Sequence, residues 1–458
     1  MSNNATGVRQ RPHAVALTVL ATTQLMLVLD GAVVNIALPS MQSDLGLSDS
    51  ALAWVVNGYV LAGGGLLLLG GRAGDLFGRR RVFIIGMWVF TLASLIGGFA
   101  TTGELLITTR VLQGVGGALA GPNAVALIST TFPVGPARSR ALAVNSAAAG
   151  AGTAIGLIAG GLLTDAFSWR AVMLVNVPFG AAVLLSARRV LSESDPQHGA
   201  FDLLGAVLGS AGLGALVLGI SLHGDPLALG LSVVTLTGFL WRQARTPRPL
   251  LPLRLFRDRD RSSAYLVILL VGGSLSLTYF LSLHVQHVMG YSPVRAGLAF
   301  LPFAAGIAGG SWLAARSAGR FAPRVVTGTG LLLAVAGALS YRTFDADSAY
   351  LSDLLVPMLV WSTGMGMTFV PMTATVLSRV PEPDTGIASA VMGTMQQVGG
   401  AVGLAVLVAV ATAVQGGSVS TDAEVRGYAA AYTTSLVLLL LAMAVTLTIR
   451  RPHEGRQQ

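Results

Sequence analysis

Two ionisable side chains, Asp30 and Arg110, stand where charge is costly. Each lies well inside a long apolar run, and they are the only acid and the only base that do so. A charge at the centre of a membrane helix costs about 2.5–3.5 kcal/mol on insertion scales, so it persists only with a partner or a task. Asp30 lies about eight residues before the outer edge of its run and Arg110 about five after the outer edge of its own. At ~1.5 Å per residue the two depths differ by only ~5 Å, which makes pairing across a helix bundle feasible. Such a pair offers proton carriage. A neighbouring guanidinium favours a carboxylate, whereas desolvation or loss of that neighbour favours the protonated acid. The alternative is a static ion pair that only fastens two helices.

A second group of polar residues also falls in apolar runs. Asn57, Gln113, Asn123, His284, Gln286, Gln396 and Gln397 are the candidates for contact with a small substrate. Each has a plainer use as a hydrogen bond between helices. His284 and His287 add side chains able to titrate at physiological pH.

The elements that carry these residues are membrane helices. The 458-residue chain is 53% hydrophobic and 11% charged, a balance that a water-soluble fold does not need. Apolar runs long enough for ~30 Å of hydrocarbon fall at 14–38, 51–70, 82–101, 105–131, 141–164, 170–190, 203–222, 226–241, 263–289, 295–315, 325–343, 351–377, 385–412 and 428–449. With the N-terminus inside, the cytoplasmic loops hold 24 arginines against four outside (Arg170, Arg295, Arg342 and Arg426), which orients the chain by the positive-inside rule. Both termini are then cytoplasmic. Arginines on either side of the two weaker runs, 203–222 and 226–241, belong inside, so an even number of crossings lies between them. The expected organisation is an N-terminal six-helix bundle over 14–190, two inserted helices over 203–241 and a C-terminal six-helix bundle over 263–449. The similar lengths of the two bundles point to a duplication.

Composition also excludes several classes of function. Net charge +9 suggests nucleic acid, but all 29 basic residues are arginines set mainly in short loops, where topology explains them better, so no nucleic-acid partner is expected. The chain has no cysteine and no lysine. That removes disulfides, thiol nucleophiles, Cys-ligated metals, Schiff bases and a P-loop lysine. Neither an HExxH nor a GxSxG motif is present, and acids in the runs are too few for a paired-carboxylate site. No enzyme, metal or cofactor is expected. The first apolar run is long enough to stay as a helix rather than serve as a cleaved signal.

Between the second and third runs lies Gly71-Arg72-Ala73-Gly74-Asp75-Leu76-Phe77-Gly78-Arg79-Arg80-Arg81, read as a tight cytoplasmic turn. It resembles the signature of the major facilitator superfamily, G-x-x-x-D-x-x-G-R-R/K, with Gly71, Asp75, Gly78, Arg79 and Arg80 at the motif positions. Leu29-Asp30-Gly31 through Leu38-Pro39, Arg110 through Ala118, Gly152 through Gly161, and Trp169-Arg170 with Asn176-Val177-Pro178 resemble further motifs of the 14-spanning drug:proton antiporter branch. Gln286 through Leu301-Pro302 resembles its ninth-to-tenth-helix turn. The fifth-helix motif carries Gly152, Gly156, Gly160 and Gly161, with Leu157 where that branch usually has proline.

The resemblance implies an all-α major facilitator fold: two pseudo-symmetric six-helix bundles plus two inserted helices, in a bacterial cytoplasmic membrane. It implies a monomer that exports small, largely hydrophobic drugs or antibiotics in exchange for protons. A proton-coupled uptake symporter and a channel or sensor remain as alternatives. Asp75 and its arginines would latch helix ends in one conformation, and the glycines of helix five would let a neighbouring helix approach closely.

Overall fold

The computed structural model describes residues 5–449 apart from 134, 194–201, 223, 248, 345–347, 379, 382–383 and 417–419, with side chains from residue 13 onward. Fourteen of the described helices are long and apolar enough to cross a membrane, as the apolar runs predict. They are α1 (His13–Leu45), α2 (Asp49–Phe77), α3 (Arg79–Gly98), α4 (Gly103–Thr131), α5 (Pro136–Ala166), α6 (Trp169–Val190), α7 (Leu203–Ser221), α8 (Pro226–Arg245), α9 (Arg259–Val288), α10 (Pro293–Ser317), α11 (Pro323–Thr343), α12 (Tyr350–Leu377), α13 (Thr385–Gln415) and α14 (Thr421–Thr446). Helix is the only open-ended element that satisfies its own backbone in hydrocarbon. Outward-turned apolar side chains such as Leu227 (82% exposed), Leu185 (73%) and Val234 (70%) suit lipid rather than water.

Helix starts carry caps that the sequence supplies. Ser48, Thr102, Asp258 and Ser420 each accept a backbone N–H three residues on, meeting one of the orphan donors of the first turn. The junction between α2 and α3 differs from the expected loop. Helix α2 continues through Gly71 and Asp75 to Phe77, and the turn is the single residue Gly78, at φ +96°. A side chain is strained at that angle, so one glycine suffices to reverse the chain.

The residues cluster into two compact units. The first comprises Met1–Gly214, Ser232–Leu250 and Tyr291–Leu298, and the second Ala215–Leu231, Leu251–Gly290 and Ala299–Gln458. Within the first, α1 packs on α5, α2 on α4, and α3 on α4 and α6. Within the second the same pairing recurs: α9 on α13, α10 on α12, and α11 on α12 and α14. Glycine permits the closest of these approaches. A Cβ at Gly86 would sit 2.7 Å from the Gly116 carbonyl, and one at Gly330 2.7 Å from the Gly364 carbonyl.

Helices α7 and α8 form a hairpin closed at its base by Asp202. This buried carboxylate accepts hydrogen bonds from Arg242 Nε, Gln243 Nε2 at 2.9 Å and the Gly205 N–H at 2.9 Å. Farther along, Ser232 Oγ donates to the Gly212 carbonyl at 2.9 Å. Burial disfavours the charge on Asp202, but the bonds from Arg242, Gly205 and Gln243, with the Arg242 charge, outweigh it and hold the carboxyl below the usual carboxylate range. The folded group therefore binds its proton more weakly than the unfolded one. Its stabilisation is complete above the unfolded pKa of about 3.9 and is lost as pH falls through the lower folded value. Asp202→Asn should lower the melting temperature in detergent at pH 7, and the gap to wild type should narrow at pH 3. An equal gap at both values would remove the charge from this account.

Candidate functional site

In the first unit, α1, α2, α3, α4 and α6 converge on a single buried cluster. Asp30, wholly buried on α1, accepts a hydrogen bond from Arg110 Nη1 to Oδ2 at 2.6 Å. Its Oδ1 accepts from Gln113 Nε2 at 3.1 Å and from Asn176 Nδ2 at 2.7 Å. Arg110 is itself fixed on three sides. Its Nε donates to the Val55 carbonyl at 3.0 Å, its Nη1 also donates to Gln113 Oε1 at 2.8 Å, and its guanidinium lies 4.4 Å from the centre of the Tyr59 ring. Gln113 Nε2 donates onward to Ser94 Oγ at 2.7 Å. A buried ion pair repays its desolvation only when its remaining donors and acceptors are met, and this one is met almost throughout.

Glycine sets the position of the carboxylate. A Cβ at Gly152 would lie 2.9 Å from the Leu25 carbonyl, one at Gly156 3.0 Å from the Leu29 carbonyl and 2.7 Å from Ala32 Cβ, and one at Gly160 2.9 Å from Val33 Cα. The stripe on α5 thus lies against the backbone of α1 on both sides of Asp30. Gly161 faces elsewhere: its Cβ would meet the Pro293 carbonyl at 2.5 Å and Val294 Cα at 2.8 Å, at the start of α10.

The expected substrate contacts separate. Gln113 belongs to the ion-pair cluster. Asn123 Nδ2 donates to the carbonyls of Gly70 at 2.9 Å and Leu119 at 2.8 Å, tying α4 to α2. Asn57 is buried, and neither its amide nitrogen nor its oxygen has a hydrogen-bond partner among the described residues. In the second unit His284 stacks on Phe344 at 4.1 Å, with Tyr428 at 5.8 Å and Tyr432 at 6.4 Å. Gln286 bonds back to Ser282, at 3.3 Å to its carbonyl and 3.2 Å to its hydroxyl. On α13, Gln396 is exposed and Gln397 half-buried.

At the junction of α2 and α3, Asp75 Oδ1 accepts from Arg79 Nε at 3.2 Å and Nη2 at 3.0 Å. Arg80 turns the other way. Its backbone N–H donates to Glu193 Oε1 at 3.0 Å, its Nη1 to the Leu191 carbonyl at 3.0 Å, and its Nε lies 3.5 Å from Glu193 Oε2. A carboxylate at the first turn of α3 suits the positive end of the helix dipole. A Cβ at Gly78 would lie 2.7 Å from Glu193 Oε1, whereas one at Gly71 would make only ordinary contact with Pro122 Cβ at 3.7 Å. The tight packers here are Gly70, facing the Ala118 carbonyl, and Gly74, facing Asn123.

Tyr59, Ser94, Asn176 and Glu193 are the members that sequence reasoning did not place at a site. Asn176 carried a usable signal: it is an amide a few residues into its apolar run, like Arg110 in its own. Glu193 carried none, since its partner Arg80 lies 113 residues away.

The Major Facilitator Superfamily profile matches residues 20–404. The chain is 41% identical to the puromycin resistance protein of Streptomyces alboniger over 448 residues, which cover 93% of this chain and 89% of that one. It is 41% identical to the cephamycin export protein of Amycolatopsis lactamdurans over 450 residues, covering 94% and 91%. Among solved structures, a bacterial homologue of the human lysosomal transporter Spinster superposes with a TM-score of 0.69 at 17% identity, covering 96% of this chain and 97% of that one, a likeness of fold alone. With fourteen membrane-length helices among its described residues, its ordered motifs and relatives at 41% identity along nearly its whole length, the chain belongs to the Major Facilitator Superfamily.

Proposed function

We propose that the protein is a secondary transporter that exports small, largely hydrophobic antibiotics or drugs across the bacterial cytoplasmic membrane in exchange for protons. Family and fold point to a transporter rather than an enzyme. The observation that carries proton coupling is Asp30, a wholly buried acid held by Arg110. Charged, it pairs with Arg110; protonated, it releases that cation to other partners. Proton and substrate then compete for one conformation of the protein. Relatives named for puromycin resistance, cephamycin export, and tetracenomycin C resistance and export favour outward transport over uptake by a symporter with the same proton site.

In this reading the protein works as a monomer with both termini in the cytoplasm. The bundles 14–190 and 263–449 alternate access to a substrate path, and the helices of 203–241 are an insertion. Asp75, Arg79 and Arg80 latch cytoplasmic helix ends. The test is purified protein in vesicles, with the puromycin and cephamycin classes as first substrates. Adding substrate on the proper side should move protons the opposite way, and an imposed pH gradient should concentrate substrate. Currents far above carrier rates, or uptake without proton movement, would remove the antiporter.

Asn57 is the substrate contact we favour, because its buried amide meets no protein partner. Such an orphaned group costs about 1–3 kcal/mol. Asn57→Leu should raise the melting temperature of the substrate-free protein and weaken substrate binding about tenfold or more, the loss of one buried hydrogen bond. A variant that melts lower, or binds substrate as tightly as wild type, would make Asn57 a packing residue.

A further inference from the structure

Asp30 is surrounded by donors. Arg110 Nη1 meets Oδ2, and Gln113 Nε2 and Asn176 Nδ2 both meet Oδ1. That suits a carboxylate. A carboxylic acid is different, because its O–H needs an acceptor. Arg110 has none to offer. Gln113 is committed at both ends, its Oε1 to Arg110 and its Nε2 also to Ser94 Oγ. Ser94 Oγ in turn donates to the Phe90 carbonyl at 2.8 Å. Asn176 is the neighbour whose acceptor is wholly unmet: it is wholly buried, and its Oδ1 has no hydrogen-bond partner among the described residues. A buried acceptor without a donor is disfavoured and calls for a reason.

We propose that Asn176 is an amide switch that keeps Asp30 hydrogen-bonded in both of its protonation states. With Asp30 charged, the Asn176 NH2 donates to Oδ1, as the structure has it. When a proton from the aqueous phase binds Oδ1, the amide turns half a revolution about Cβ–Cγ. Its carbonyl then occupies nearly the place of the NH2 and accepts the new O–H. One O–H bond forms, one N–H···O contact is replaced by one O–H···O contact, and no electrons move. The asparagine terminal torsion is broad and close to two-fold, so the turn needs no change of backbone. Asn176 also lies two residues before Pro178, which has no N–H to give the Leu174 carbonyl, so the hydrogen-bond ladder of α6 is already interrupted here.

The charged or titratable groups facing Asp30 are Arg110 on α4 and Tyr59 on α2. From α3 and α6 it meets the neutral Ser94–Gln113 chain and Asn176, and α5 carries charge only near its ends, at Arg138, Arg140 and Asp165. Arg110 is the charged partner of Asp30, and Asn176 is the neutral one able to bond to either form of it. Asn176 is a positioning residue, and its role rests on Asp30 carrying the coupling proton.

Infrared difference spectra between alkaline and acid pH, taken on the full chain in lipid, separate the two ideas. The chain has seven asparagines, so [13C]asparagine labelling leaves few amide bands to assign. In wild type, a protonated-carboxyl band that is absent from Asp30→Asn should rise together with a shift in one asparagine band. Asn176→Leu should abolish that asparagine shift and move the carboxyl band to higher wavenumber, with little change in the midpoint pH. Asn176→Thr, whose hydroxyl both donates and accepts, should return the carboxyl band toward its wild-type place. If the Asp30 band is unmoved in Asn176→Leu while its midpoint rises, Asn176 is a fixed donor and the switch is wrong, though Asp30 keeps its proton. If no carboxyl band is lost in Asp30→Asn at any pH, the proton site itself is wrong and the switch falls with it. Should Asn176→Leu fail to fold, the labelled wild type decides: an asparagine band that moves with pH only while Asp30 is present supports the switch, and one that does not move overturns it.

Discussion

Asp30→Asn protein in vesicles should bind substrate yet fail to concentrate it when a pH gradient is imposed, falling to the level of wild type without a gradient. Binding in this variant should no longer depend on pH. The substitution keeps the volume of the side chain, and an amide can be accommodated here. Its oxygen can face Arg110 Nη1, which meets Asp30 Oδ2 at 2.6 Å in the wild type, and its NH2 can face Asn176, whose own Oδ1 is otherwise unpartnered. What is lost is the proton, because an amide does not titrate. Transport measured with radiolabelled substrate, alongside equilibrium binding at two pH values, reads both halves. Accumulation near the wild-type ratio would place the coupling proton elsewhere, with His284 and His287 the next to substitute.

Replacing Arg110 should do more damage to the fold. Arg110→Leu removes the bonds to Asp30, Gln113 and the Val55 carbonyl together with the stack on Tyr59, and it leaves a carboxylate in low dielectric. Breaking one side of a buried pair costs about 3–5 kcal/mol, which should appear as poor yield and a melting temperature many degrees lower. Arg110→Lys keeps the charge but cannot donate to Val55 and Asp30 in the same fork or lie flat on the ring, so it should fold better and transport weakly. The double variant Asp30→Asn, Arg110→Leu should be more stable than Arg110→Leu alone, since it removes the stranded charge. If the double variant is as unstable as the single, packing rather than charge explains the loss.

The fold was largely legible because a membrane helix needs only length and apolarity, and both are written in consecutive residues. The ion pair was legible for the opposite reason: a charge inside such a run contradicts it. Even so, the apolar run of the first helix ends near residue 38, whereas α1 continues to Leu45. The signature over residues 71–81 reads as a loop in sequence, because glycine and charge usually mark one; Gly70 and Gly74 are instead packing positions within a continuous helix. Polar residues resisted sequence reading. Asn57, Gln113, Asn123 and Asn176 all sit in apolar runs, and only the helix pairing shows that one is orphaned, two join the ion-pair cluster and one ties helices together.

The glycine stripe between α1 and α5 divides the protein into a part that evolution can alter and a part it cannot. At Gly152, Gly156 and Gly160 a single added carbon meets backbone or Cβ atoms within about 3 Å, and backbone cannot step aside as a flexible side chain can. Selection by an unfamiliar antibiotic therefore finds no route through these positions, since every missense change there displaces the helix that carries Asp30. On the proposed function, new specificities would come from side chains outside the stripe, Asn57 foremost. In that reading, the proton site would then be held fixed by backbone packing while the substrate contacts stayed free to change.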